Sequence, residues 1–203
     1  GPKPVKRGIA DAVARLYDER SALRYDGDGR WRMADVLDLT HPTPREPWQA
    51  ALFRYLLARR HRRDTLPTEG LPMLAAAHGL EALPVADRRA VLDDPARLAA
   101  AGFSWERLAG WLQGPMDAPA WEAVIPSMGY MALLRNLRNL EDAKVSVAML
   151  DAVSARLADP AEVARSRQMP LRFLSAWKAT ESLTFGPALE SALDASLASV
   201  PAL

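Results

Sequence analysis

Residues 125–140, IPSMGYMALLRNLRNL, place the tightest constraint on how this chain can fold. Tyr130, Leu133, Leu134, Leu137 and Leu140 recur at three- and four-residue steps, the period of a helix with one buried stripe. Pro126 suits a helix start and would be costly in an interior. The spacing therefore predicts one helix over 125–140, with Arg135, Asn136, Arg138 and Asn139 on its polar face. Such a stripe needs other helices to cover it. The composition supplies them: alanine, leucine and arginine are abundant, while glycine and β-branched residues are sparse. No segment alternates with period two.

The same reading along the chain predicts a series of short helices. The first spans 5–19, with Ile9, Val13, Leu16 and Tyr17 as its stripe. YDGDGR at 25–30 is a turn. It resembles a calcium loop only superficially, because Arg30 takes an acidic ligand position and Leu37 stands where a bidentate Glu is needed. A helix over 31–39 runs into Thr40-His41-Pro42, where Pro42 pushes His41 out of helical geometry. Thr43-Pro44-Arg45-Glu46 reads as a capping box opening a long helix over 46–60. Further helices are expected at 71–80, 84–94, 95–101, 105–112 (capped by Ser104), 117–124 and 145–157. The last two cover 170–182 and 185–200, and Asp159-Pro160-Ala161-Glu162 repeats the capping pattern before them. The expected architecture is all-α, a single module over 1–203 in which helical pairs stack as a divergent HEAT-like array, an α–α superhelix.

Chemistry is excluded more readily than assigned. There is no cysteine, so disulfides, thiolate metal sites and a cysteine nucleophile are all out. No phosphate-binding glycine loop, HExxH or GxSxG motif occurs, and the histidines (His41, His61 and His78) are scattered. No enzyme, metal or cofactor is expected, and no apolar run is long enough to span a bilayer. Charge is more informative. The net charge is +1, but residues 1–63 carry fourteen Lys/Arg against eight Asp/Glu, and the remainder twelve against seventeen. A basic first third on a neutral whole is a local field that attracts polyanions. Within it Arg24, Arg30 and Arg32 interleave with Tyr25 and Trp31 ahead of His41. Cations contact phosphates, and rings stack on unpaired bases. A plainer alternative makes His41 a turn residue, Trp31 a core residue, and the charge a solvated helical surface.

Three blocks in order resemble a known family. They are VKRGIAD at 5–11, RWRMADVLDLTHPTPREPWQAALFRY at 30–55, and WEAVIPSMGYMALLRNLRNL at 121–140, with ARSRQMPLRFLSAW following. The pattern W…DLL-L-(S/T)-H-x-x-P and the LLRNL run are similar to the TROVE domain of the Ro autoantigen proteins and their bacterial relatives. The resemblance implies a HEAT-like ring that binds noncoding RNA, with Y RNAs on a basic outer surface and single-stranded RNA ends in a central hole. It places RNA binding at His41 and Arg24. A second family arginine aligns with Asp28, a mismatch that Arg30 stands near enough to replace. The RNA-contacting set is expected to be Lys6, Arg7, Arg24, Arg30, Arg32 and His41, with a second group at Arg59, Arg60, Arg62 and Arg63. Arg135 and Arg138 would line the hole of a closed ring, or else bond neighbouring helix ends. The family's von Willebrand factor type A domain is expected to begin about where this chain stops, so the sequence reads as a shortened module. The resemblance further implies a cytoplasmic ribonucleoprotein without membrane contact, whose protein partners would be an exoribonuclease or the adjoining von Willebrand factor type A domain. The rival is a helical scaffold for protein partners, favoured if each arginine is paired with a nearby carboxylate.

Overall fold

A computed structural model describes residues 3–27, 29–61, 65–180 and 183–198. Among them there is no strand, and the residues divide into two compact helical units. The all-α expectation holds.

The first unit comprises Gly1–Pro84 and Ala100–Gly102. It contains α1 (Lys3–Leu16), α2 (Glu19–Tyr25), α3 (Met33–Thr40), α4 (Pro47–Arg60) and α5 (Pro72–Glu81). The single helix expected over 5–19 is two. Asp18 adopts extended geometry and its carboxylate accepts the Ser21 amide at 2.7 Å, an N-cap that starts α2 and ends any continuation of α1. The stripe of α1 narrows accordingly: Val13 and Tyr17 are buried, while Ile9 and Leu16 are exposed. The capping box expected at 43–46 does not form. Pro47 drives Glu46 to φ −131°, ψ 155°, because a residue before proline is excluded from helical geometry. The helix therefore opens at Pro47, and the Arg45 amide goes to Gln49 Oε1 at 2.6 Å. α4 is the unit's central rod. Ala51, Leu52, Tyr55 and Leu56, at helical spacing, are buried together with Gln49 and Phe53, while Trp48 is exposed. Buried Gln49 is satisfied by donating to the Ala14 carbonyl at 2.7 Å. Val13, Tyr17, Leu37, Leu71 and Leu74 close the core around this helix.

The second unit comprises Val85–Ala99 and Phe103–Leu203. It contains α6 (Val85–Arg88), a 3₁₀ turn (Arg89–Asp93), α7 (Pro95–Ala100), α8 (Trp105–Leu112), α9 (Ala118–Val124) and a second 3₁₀ turn (Ile125–Ser127). These are followed by α10 (Tyr130–Asp142), α11 (Val147–Ala158), α12 (Pro160–Ser166), α13 (Pro170–Thr180) and α14 (Gly186–Ala198). Ser104 caps α8 as expected, and Asp117, expected inside its helix, is the N-cap of α9. Residues 125–140 are not one helix: the chain breaks at Met128-Gly129, where both residues are extended, and α10 starts after Gly129. The expected stripe survives intact, with Tyr130, Leu133, Leu134, Leu137 and Leu140 all buried. Asn136 is buried too, not part of the polar face, and donates to the Ala132 carbonyl at 2.8 Å. α10 packs on α11 and α13, and α14 lies against α11, α12 and α13. Tyr130 meets Phe173 edge-on at 6.3 Å, and its hydroxyl donates to the Leu157 carbonyl at 2.8 Å. Val147, Leu171, Trp177 and Leu197, apolar residues at helical spacing, are exposed. In Asp159–Glu162 only the aspartate caps, accepting the Ala161 amide, while Glu162 turns to Arg156.

Candidate nucleic-acid interface

Lys3, Lys6, Arg7, Ala10, Asp11 and Ala14 step along α1 by three and four residues, so they share one face. That face forms one wall of a groove of about 560 Å³, and the small Ala10 and Ala14 leave its floor open. The opposite wall is the link between α3 and α4, with Thr40, His41, Thr43, Pro44 and Arg45. His41 terminates α3 in the left-handed region at φ 46°, ψ 57°, and its amide donates to the Leu37 carbonyl at 2.8 Å. Pro42 cannot continue the helix, which leaves the exposed imidazole at the groove wall. Lys3, Lys6, Arg7 and Arg45 thus face a single carboxylate, Asp11, which already binds Arg45 at 2.6 Å and Arg15 at 2.7 Å. Lys3, Lys6 and Arg7 are exposed and have no ion pair among the described residues. Three cations in the first two turns also oppose the α1 dipole. An anion in the groove would relieve both costs.

The remaining candidates separate. Arg24 lies 5.4 Å from the Tyr25 ring and Arg30 5.8 Å from the Trp31 ring. Both rings are exposed, so Trp31 is not a core residue. Arg32 occupies the N-cap of α3, where its amide donates to Asp35 Oδ2 at 2.8 Å. Arg59 is committed to the fold: its guanidinium holds the Asp26 carbonyl and, at 2.6 Å, the buried Asp26 carboxylate. Arg60 pairs with Asp35 at 2.9 Å. The Arg32 amide and then Arg60 hold the Asp35 carboxyl below the usual carboxylate range. Arg62, Arg63 and Asp28 lie outside the described residues. In the second unit, Arg138 reaches Asp142 on its own helix at 3.6 Å and Arg135 is exposed, and among the described residues neither bonds a neighbouring helix end. His78 meets the Tyr55 hydroxyl at 2.9 Å, a structural contact.

The structure thus unites Lys6, Arg7 and His41 and adds Lys3 and Arg45, which the sequence reading left out of the set. Lys3 carried a signal in its i, i+3, i+4 relation to Lys6 and Arg7. Arg45 was hidden inside the supposed capping box. Among the described residues, no three His, Asp or Glu side chains are placed to hold a metal. No described helix is long and apolar enough to cross a membrane.

Compared with known families, residues 103–198 give a match. The matched family is the TROVE domain. The matched segment includes the LLRNL helix and ARSRQMPLRFLSAW, so the resemblance to TROVE proteins holds there directly. The basic groove lies outside it. Among solved structures, the crystal structure of the Deinococcus radiodurans Ro (RSR) protein is similar, with a TM-score of 0.64 and 22% identity. The match covers 97% of this chain and 42% of that one, so the chain spans less than half the length of its structural relative. At this identity the likeness carries the fold alone, which is similar to the helical fold of that Ro protein. No curated protein matches the sequence.

Proposed function

We propose that the chain is a non-catalytic noncoding-RNA-binding module of the Ro type, both units belonging to one TROVE-like module. Its RNA is structured with a single-stranded end, either Y-RNA-like or misfolded. The observation that carries the reading is the groove, in which four cations and His41 converge from α1 and the α3–α4 link onto a space that one engaged carboxylate cannot neutralise. Lys6, Arg7 and Arg45, with Lys3, hold phosphates, and His41 stacks on or hydrogen-bonds to a nucleotide between them. Arg24 and Arg30 extend the basic surface. An exoribonuclease or a von Willebrand factor type A domain would then be a partner in processing the bound RNA.

Binding of a hairpin RNA with a single-stranded tail, titrated against salt, tests this. Three to four phosphate contacts on a single strand give a slope of log K against log salt of about −2 to −3. Replacing Lys6 and Arg7 together by alanine should weaken binding and flatten that slope by about 1.4. No salt-sensitive binding at about 50 mM salt, well below the range where such contacts are screened, would remove the proposal.

A second reading is favoured by a different groove. In the second unit Leu174, Trp177, Leu189 and Leu193, with Glu190, line an apolar cleft of about 450 Å³ between α13 and α14. Exposed apolar clefts of this kind mark protein-binding surfaces, which suits a scaffold. Trp177→Ala separates the two readings: it should leave RNA affinity unchanged if the basic groove is the functional surface.

A further inference from the structure

Four arginines among the described residues lie over aromatic rings. Two of those rings, Trp111 and Phe103, are buried, and their arginines cover core surface. The other two, Tyr25 and Trp31, are 70% and 76% exposed. Leaving an indole this bare forfeits most of its burial energy. Tyr25 closes α2, Trp31 precedes α3, and Asp26 beside Tyr25 is clamped from beneath. Asp26 Oδ1 accepts the Met33 amide at 3.0 Å, bringing residue 33 back beside residue 26. Arg59 grips the other carboxylate oxygen and the Asp26 carbonyl. The Asp26 side chain is 3% exposed, so its charge is spent inside the fold and does not repel an approaching anion.

We propose that Tyr25 and Trp31 form a stacking platform for unpaired RNA bases, with Arg24 and Arg30 taking the adjoining phosphates. This rests on the RNA-binding reading above and specifies which part of the RNA is gripped here. A planar base lies on the open face of each ring. The guanidinium already over each ring supplies the cation that a phosphodiester needs beside a stacked base. α3 begins two residues after Trp31 and ends one residue before His41. It is eight residues long, or about 12 Å at the helical rise. That is the span of two to three nucleotides of extended strand. The platform therefore selects single strands, while the groove at the far end of α3 holds phosphates around one nucleotide at His41.

The test compares a fluorescently labelled single-stranded oligouridine of about twelve nucleotides, within the site sizes such proteins use, with a blunt duplex RNA of equal length. Trp31→Ala and Tyr25→Ala should each weaken single-strand binding by roughly 5- to 100-fold, the loss of one base stack. Duplex affinity, salt slope and thermal melt should not change. Trp31→Phe should retain most of the affinity and reduce the quenching of tryptophan fluorescence by RNA. Wild-type affinity in both alanine variants would overturn the platform. So would an equal loss for single strand and duplex, or quenching undiminished in Trp31→Phe. In each of these cases the Lys6→Ala/Arg7→Ala variant still binding less RNA would leave the broader reading standing. If the wild-type chain binds neither RNA at about 50 mM salt, both proposals fall together.

Discussion

His41 combines a functional position with an unfavourable backbone, and one substitution separates the two. An L-residue at φ 46° pays roughly 1 kcal/mol that glycine does not. His41→Gly should therefore leave the thermal melt unchanged or raised while RNA affinity falls several-fold. A melt lowered together with the affinity would make the imidazole a structural group. Arg59 should behave in the opposite way. Its guanidinium neutralises a carboxylate that is almost wholly buried, and removing one partner of such a pair costs about 3–5 kcal/mol. In Arg59→Ala a large drop in urea midpoint is expected, far beyond any change in the melt of the His41 variant. The sequence could not separate these two residues. The Thr40-His41-Pro42 turn is legible because its partners are adjacent. RRHRR reads as a charged cluster whose use depends on Asp26 and Asp35, which lie 33 and 25 residues away from their arginines.

At the scale of elements, helical periodicity found nearly every helix but not where each one stops. The break at Met128-Gly129 is the clearest case. Interrupting a helix leaves carbonyls without partners, and here a third segment supplies them. Arg156 of α11 donates to the Met128 carbonyl at 3.0 Å and the Ile125 carbonyl at 3.5 Å. It also bonds both carboxylate oxygens of Glu162 at 3.2 Å. One planar guanidinium thus stitches the break, α11 and α12 together, and no local pattern announces it. Arg156→Ala should cost about 2–3 kcal/mol, since it strips a charged donor from half-buried acceptors. Arg156→Lys should recover little, because a single ammonium cannot reproduce the fork. Equal stability of the lysine variant and the wild type, measured by urea unfolding, would show that charge alone suffices. The α1–α2 boundary and the start of α4 were missed for a related reason. Asp18 and Pro47 are strong local signals, but apolar spacing runs straight across both.

For the molecule as a whole, the all-α fold follows from composition and period, whereas the division into two units follows from contacts that the sequence does not display. Tyr17 in the first unit and Tyr130 in the second are both buried in the core. Burial, with nearby carboxylates adding to it, pushes both phenols well above the ordinary tyrosine range. The consequence for stability has a definite sign. Below pH 10, near the ordinary phenol value, both phenols are neutral whether the chain is folded or not, and they contribute no pH dependence. Above it the unfolded chain releases these protons while the folded chain retains them, so stability falls by about 1.4 kcal/mol per pH unit for each tyrosine. The two differ at neutral pH. The Tyr17 hydroxyl is buried without a hydrogen-bond partner among the described residues, so Tyr17→Phe should cost nothing or stabilise slightly. The Tyr130 hydroxyl is satisfied by the Leu157 carbonyl, so Tyr130→Phe should cost about 1 kcal/mol. Between pH 10 and 11.5 each variant should lose one tyrosine's share of the alkaline slope, measured as the difference from wild type so that lysine titration cancels. An unchanged slope in Tyr17→Phe would mean that water reaches this phenol and that the core of the first unit is looser than the packing of α4 against α1 and α3 requires.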